Sequence, residues 1–231
     1  MLSKTEILEA LRGRLIVSAQ AYHGEPMRDP RTMAQVAASA VSGGAAAVRV
    51  QGLGDIQATR SAVEVPIIGL WKDGKDGKDG VVITPTFQHA YAVVLAGSHI
   101  VALDGTRRAR PDGLSLAETV ERLHEQTNAL VMADCGSLDD ALAAVEAGAD
   151  IIGTTLAGYT GERAKTEGPD LELISALRVA ELPALLVAEG RIHTPLHAAA
   201  AVEAGADSVV VGTAITHPTT ITSWFTEAVE G

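Results

Sequence analysis

The chain has 231 residues, with 29 acidic against 18 basic side chains and a formal charge of -11. That length suffices for one substantial core, and the acidic excess argues against a polyanionic partner such as nucleic acid while still allowing a small anion held by one or two well-placed donors. A single cysteine, Cys135, excludes an intrachain disulfide and a thiolate zinc cluster, and no apolar run reaches membrane-spanning length, so the expectation is a soluble cytoplasmic protein with no membrane partner.

The opening "MLSKTEILEALRGR" alternates charged and apolar residues at helical spacing, which reads as a helix over 1–11 covering the bottom of the domain rather than as a signal peptide. Apolar, β-branched runs then predict strands at 14–18, 46–50, 66–70, 99–103, 129–133, 150–153, 184–188 and 208–212. None shows clean polar/apolar alternation, as expected of strands buried on both faces. The intervening stretches, such as 138–147 and 196–204, read as helices. Two passages are near copies, "AVEAGADIIGTT" at 144–155 and "AVEAGADSVVVGTA" at 201–214, with weaker versions at 40–50 and 94–106. Each joins an alanine-rich helix to a buried strand through a glycine that accepts the left-handed conformation closing many helices. Copies about 50–60 residues apart imply two βα units per interval. Eight units in one composition regime predict a single (β/α)8 barrel domain over 1–231, of the phosphate-binding type. A doubly wound sheet is the competitor, and it has no reason to supply eight such units. Segment 81–84 reads as a small extra strand, and "DGKDGKDG" at 73–80 as a flexible loop.

In such a barrel the chemistry lies at the C-terminal ends of the strands. Following each strand in turn gives Gln20, Arg49, Lys72, the group Asp104, Arg107 and Arg108, then Asp134, the passage "IGTTLAGYT", Glu189 with Gly190 and Arg191, and finally Gly212 with Thr213. Glycine N–H groups after strands seven and eight occupy the usual phosphate position of these barrels, and Arg191 can pair with a phosphate through two parallel bonds. Of the lysines at 4, 72, 75, 78 and 165, only Lys72 directly follows a core strand. Burial and the positive charge of Arg49 would lower its pKa to a value suited to a general base, and it could alternatively form a Schiff base. Glu189 and Asp134 are the carboxylates available to orient the lysine or bind substrate hydroxyls. Asp104, Asp134 and Glu189 interleaved with cations make a poor nest for a divalent ion, and no histidine pair has zinc spacing, so no metal site is expected.

The stretches "LIVSAQA" (15–21), "PIIGLWK" (66–72), "VITPT" (82–86), "ALDGTRRARP" (102–111), "MADC" (132–135), "IGTTLAGYT" (152–160), "AEGRIHTP" (188–195) and "VVVGTAITHP" (209–218) together resemble the N-acylglucosamine-6-phosphate 2-epimerases, also known as N-acetylmannosamine-6-phosphate 2-epimerases. The likeness runs in order along nearly the whole chain. It implies reversible inversion at C2 of an N-acetylhexosamine 6-phosphate within sialic-acid salvage, without cofactor or metal, by an enzyme that is often a homodimer. It further implies that Lys72 is the catalytic lysine and Glu189 the carboxylate working with it. Gln20, Arg49, Asp134 and Arg191 would hold the sugar or its phosphate, and the backbones around Gly190, Gly212 and Thr213 would cradle the phosphate. After the lysine the chain departs from the family, whose segment carries bulkier side chains. The Lys-Asp-Gly run lacks the ligand spacing of a calcium loop and reads as a hydrated lid over the site. Two rivals stand beside the epimerase, a Schiff-base aldolase or synthase of the phosphate-binding barrel class and a non-catalytic sugar-phosphate-binding protein.

Overall fold

The computed structural model describes residues 2–74 and 80–231. Eight parallel strands, β1 (Leu15–Ala19), β2 (Ala47–Gln51), β3 (Ile67–Leu70), β4 (Ile100–Asp104), β5 (Leu130–Asp134), β6 (Ile151–Gly153), β7 (Leu185–Glu189) and β8 (Ser208–Val211), pair in chain order, and β8 closes onto β1. This is the expected barrel. Seven of the eight strands begin one residue later than the apolar runs. Asp104, Asp134 and Glu189 are thereby the last residues of their strands.

Helices α1 (Lys4–Leu11), α2 (Pro30–Ser42), α3 (Leu53–Arg60), α4 (Phe87–Leu95), α5 (Leu116–Gln126), α6 (Leu138–Glu146), α7 (Leu171–Val179), α8 (Pro195–Glu203), α9 (Thr213–Thr216) and α10 (Pro218–Glu230) surround the barrel. The capping box of Ser3 and Glu6 starts α1. Its Ile7 and Leu11 join Ile16, Ile68, Ile100 and Leu130 in the barrel interior, so the helix plugs the bottom. Leu11 is fully buried, and Leu11→Ala should cost about 2–5 kcal/mol. The near-copy turns behave alike: Gly148 and Gly205 have φ of 92° and 113°, conformations that a side chain would strain.

Strand periodicity places the polar residues. Side chains alternate faces along a strand, and the interior is filled by Ile16, Ala47, Leu70, Met132, Val187 and Val210 among others. Two positions on from these stand Ser18, Arg49, Lys72, Asp134, Glu189 and Gly212. One inward-facing register thus runs from apolar residues below to charged residues at the mouth.

The 81–84 segment forms an isolated antiparallel bridge, Lys72↔Ile83, rather than a strand. Asp73 N donates to Val82 O at 3.0 Å, Thr84 N to Trp71 O at 2.7 Å and Asp104 N to Ile83 O at 2.9 Å, so the segment wedges between the ends of β3 and β4. Thr84 takes a left-handed φ of 45° there. It is held by its hydroxyl on Ala102 O at 2.6 Å and by Arg110 donating to its carbonyl at 2.7 Å. The lid expectation for 73–80 falls mainly on residues 75–79, outside the described residues. Among the described residues no helix is long and apolar enough to cross a membrane.

Candidate active site

A cavity of about 280 Å³ opens at the C-terminal ends of the strands. Gln20, Lys72, Glu189, Gly190, Arg191, Gly212 and Thr213 all line it, together with Tyr22, Thr155 and Tyr159. Arg49 and Asp134 do not line it but lie buried behind Glu189 and Thr155. Arg49, only 1% exposed, donates through Nη2 to Asp134 Oδ2 at 2.6 Å and through Nη1 to Glu189 Oε2. Its Nε meets no partner among the described residues. Thr155, just past β6, donates to Asp134 Oδ1 at 2.6 Å and lies 3.2 Å from Glu189 Oε2 and 3.3 Å from Arg49 Nη1. One guanidinium from β2 therefore ties β5, β6 and β7 together across the barrel.

These charges set one another. Burial pushes the Glu189 carboxyl up, and the nearby Asp134 carboxylate adds to that against the pull of Arg49. Burial likewise raises Asp134, opposed chiefly by Arg49. For Arg49 itself burial works downward, but its two carboxylates outweigh it and the net shift is upward, so it stays a fixed cation. Lys72 moves the other way: burial first, then repulsion from Arg49, lower it from 10.5 to about 8 despite Glu189 and Asp134. Its amine stands 5.3 Å from the centre of the Tyr22 ring. An amine of lowered and a carboxyl of raised proton affinity thus share one small cavity.

The opposite wall carries glycine turns, the start of a short helix and an arginine. Gly190 has φ of 112°, which turns the chain sharply after β7 and suits glycine alone. Gly212 and Thr213 start α9, whose first N–H groups have no acceptor within the helix. Arg191 adopts φ of 55°, and its guanidinium is committed in part to the β6–α7 loop, donating to Ala157 O at 2.8 Å, Gly168 O at 3.1 Å and Thr166 Oγ1 at 2.9 Å. It thus fastens that loop to the mouth while its remaining N–H groups border the cavity. Gln20 donates to Ser18 Oγ at 2.8 Å, and its Oε1 is buried with no partner among the described residues, leaving an acceptor for a ligand N–H or O–H.

The strand-four residues take no part. Asp104 is fully buried; its Oδ1 accepts from Thr106 N at 2.9 Å and Thr106 Oγ1 at 2.6 Å, and its Oδ2 from Arg108 at 2.6 Å. Arg107 turns outward to Asp140 and Glu162. Trp71 packs edge-on against His89, ring centres 4.6 Å apart, on the helix side of β3 and away from the cavity. His217 does reach the site: it pairs with Glu25 and meets the Tyr22 ring edge-on at 5.2 Å, which holds Tyr22 beside Lys72. Sequence reasoning passed over Thr155 and Tyr22. The passage "IGTTLAGYT" marks the region of the first, but nothing in it separates Thr155 from Thr154, whose hydroxyl instead brackets the Glu189 backbone at 2.9 and 3.0 Å.

Comparison with known proteins bears on this geometry. The family model described as "Putative N-acetylmannosamine-6-phosphate epimerase" matches residues 33–231. A protein of Cutibacterium acnes named putative N-acetylmannosamine-6-phosphate 2-epimerase is 59% identical over 223 residues, covering 96% of each chain. One of the same name from Corynebacterium glutamicum is 44% identical over 225 residues, covering 96% of this chain and 95% of its own. The solved N-acetylmannosamine-6-phosphate 2-epimerase of Clostridium perfringens superposes with a TM-score of 0.92 at 36% identity, over 99% of this chain and 98% of that one.

Proposed function

The chain belongs to the N-acetylmannosamine-6-phosphate epimerase family, and from that premise we propose that it interconverts N-acetylmannosamine 6-phosphate and N-acetylglucosamine 6-phosphate through Lys72 and Glu189. The observation that carries the assignment of roles is the meeting of the two groups on one cavity with opposite shifts in proton affinity. The C2 hydrogen is acidic only beside a carbonyl, so the sugar reacts as its open aldehyde. The neutral Lys72 amine takes the C2 proton and becomes an ammonium, and the electron pair moves into the C1–C2 bond with charge on the aldehyde oxygen. The new ammonium is the cation beside that charge, with Arg49 contributing its field from behind Glu189. Glu189, protonated, returns a proton to C2 from the other face and becomes a carboxylate. In the reverse direction the two exchange roles.

The phosphate lies at the far end of the sugar, against Gly190, Arg191, Gly212 and Thr213. Holding it there spends binding energy on orienting C2. Gln20 Oε1 accepts from the sugar, and Asp134 with Arg49, buried behind Glu189, keeps the site rigid. A phosphorylated sugar does not cross a membrane unaided, which supports action in the cytoplasm. The exposed Phe225 and Val229 on α10, 69% and 85% accessible, offer an apolar face for a second copy and support a homodimer. The test is to start from either epimer and follow the mixture by NMR. Both must reach the same equilibrium ratio, and borohydride added during turnover must leave Lys72 unmodified. No interconversion, or a reduced adduct on Lys72, overturns the reading.

A further inference from the structure

The site contains two carboxylates on the same arginine, and something must decide which of them works as the acid. Asp134 and Glu189 each accept from Arg49, Asp134 fully buried and Glu189 edging the cavity; the Asp134 carboxylate raises Glu189, and Asp104 raises Asp134. The asymmetry between them is a single hydroxyl. Thr155 Oγ1 lies 2.6 Å from Asp134 Oδ1 and 3.2 Å from Glu189 Oε2. A hydroxyl has one hydrogen and two lone pairs, so it donates to Asp134 and turns lone pairs toward Arg49 Nη1, at 3.3 Å, and toward Glu189. Asp134 then receives two donors, Thr155 and Arg49, both of which favour its ionised form. Glu189 Oε2 faces an acceptor oxygen, a contact that becomes a hydrogen bond when Glu189 carries the proton.

We propose that Thr155 is the positioning residue that assigns the exchangeable proton to Glu189: by giving its only hydroxyl hydrogen to Asp134 it keeps Asp134 ionised and leaves Glu189 as the group that protonates C2. The inference rests on the epimerase reading and adds to it a reason why Glu189, and not Asp134, is the acid. Over one turnover Lys72 gains the proton taken from C2 and Glu189 loses the one delivered to C2; proton exchange with water then returns both to their starting states, and Thr155 keeps its hydroxyl unchanged. The other groups facing Glu189 are Arg49 from β2, Lys72 from the end of β3, Asp134 from β5 and Tyr22 from the loop after β1. None of them offers a second hydroxyl bridge between the two acids.

The test compares Thr155→Val, which keeps shape and removes the hydroxyl, with Thr155→Ser, which keeps the hydroxyl and removes the methyl. Epimerisation, deuterium exchange at C2 and the pH profile are measured on N-acetylmannosamine 6-phosphate. The valine variant should lose about 10–100-fold in kcat with KM within about twofold. It should retain C2 exchange better than epimerisation, and the alkaline limb of its profile should move to lower pH, because Glu189 then holds its proton less well. The serine variant should return to within about threefold of wild type. The proposal is overturned if the valine variant turns over at the wild-type rate with an unmoved profile, if it loses exchange and epimerisation equally, or if serine fails as valine does. Wild-type protein that neither exchanges nor epimerises would instead overturn the epimerase reading itself, so the two failures are distinct.

Discussion

Two acid–arginine clusters sit side by side at the mouth of this barrel. Asp104 and Asp134 end neighbouring strands and are paired in register, and each is fully buried against an arginine at 2.6 Å. Around Asp104 both carboxylate oxygens are taken, by Thr106 and Arg108, and Arg110, whose Nε lacks a partner among the described residues, donates to its carbonyl at 2.9 Å beside the Ile83 segment. Around Asp134 the arginine is shared with a second carboxylate, a lysine is crowded in, and Arg49 Nε and Gln20 Oε1 lack partners among the described residues. The same residue types thus make a strut in one place and a reactive centre in the other. What separates them is whether the arginine serves one carboxylate or is shared with a second beside a lysine. A satisfied buried ion pair holds structure, whereas an over-shared one leaves proton affinities displaced and free to act.

The sharpest way to break the comparison is to remove the amine. Lys72→Met should lower epimerisation by about 10³–10⁴-fold while making the fold more stable. Lys72 has a folded pKa of about 8 against 10.5 for a free lysine, so the unfolded chain binds more protons between those values. Wild-type stability therefore rises with pH across that window and carries a penalty below it. The variant should melt higher at pH 7, by about 1–2 kcal/mol of added stability. Thermal unfolding and initial rates on one preparation check both. Next in size, Glu189→Gln should cost about 10²–10³ in kcat with a properly folded product, since glutamine retains shape but carries no transferable proton. Equal activity would move the acid elsewhere.

Smaller again is the pH response. Because the working base is the neutral amine and the working acid the protonated carboxyl, kcat/KM should be bell-shaped in pH, rising on the acid side and falling on the alkaline side; a profile with no fall on either side would mean that this pair does not titrate in the reaction. The smallest catalytic effect belongs to the strut. Asp104→Asn should leave kcat/KM within about threefold of wild type and yet cost about 2–4 kcal/mol in a denaturant melt, because the buried carboxylate that accepts from Thr106 and Arg108 is lost. A large loss of rate at unchanged stability would place Asp104 in the chemistry and erase the contrast.

The distinction between the clusters marks where the sequence stops being readable. The barrel was legible because eight apolar runs and the near-copied Gly-Ala-Asp turns repeat at a fixed spacing. Lys72, Arg49, Asp134 and Glu189 were legible because strand ends are where a barrel exposes polar groups and the period of two turns all four inward. Asp104 met the same criteria, and only the loop returning Thr106 and Arg108 onto it decides its different role. Thr155 was hidden for a related reason: it follows a three-residue strand beside an identical neighbour, and its partners lie 21 and 34 positions away. Tyr22 depends on a loop folding back so that Glu25 can reach His217, a contact across most of the chain. Periodic features survive in a linear reading, whereas contacts made by loop excursions do not.

The central claim is that the Lys72 amine removes the hydrogen on the carbon beside the aldehyde. Proton NMR of N-acetylmannosamine 6-phosphate in D₂O, with wild-type protein and with Lys72→Met in parallel, tests it most directly. The account predicts that the C2 proton signal disappears with the wild type and persists with the variant. A C2 signal that persists with active wild-type protein, or that vanishes equally fast without the lysine, would contradict it.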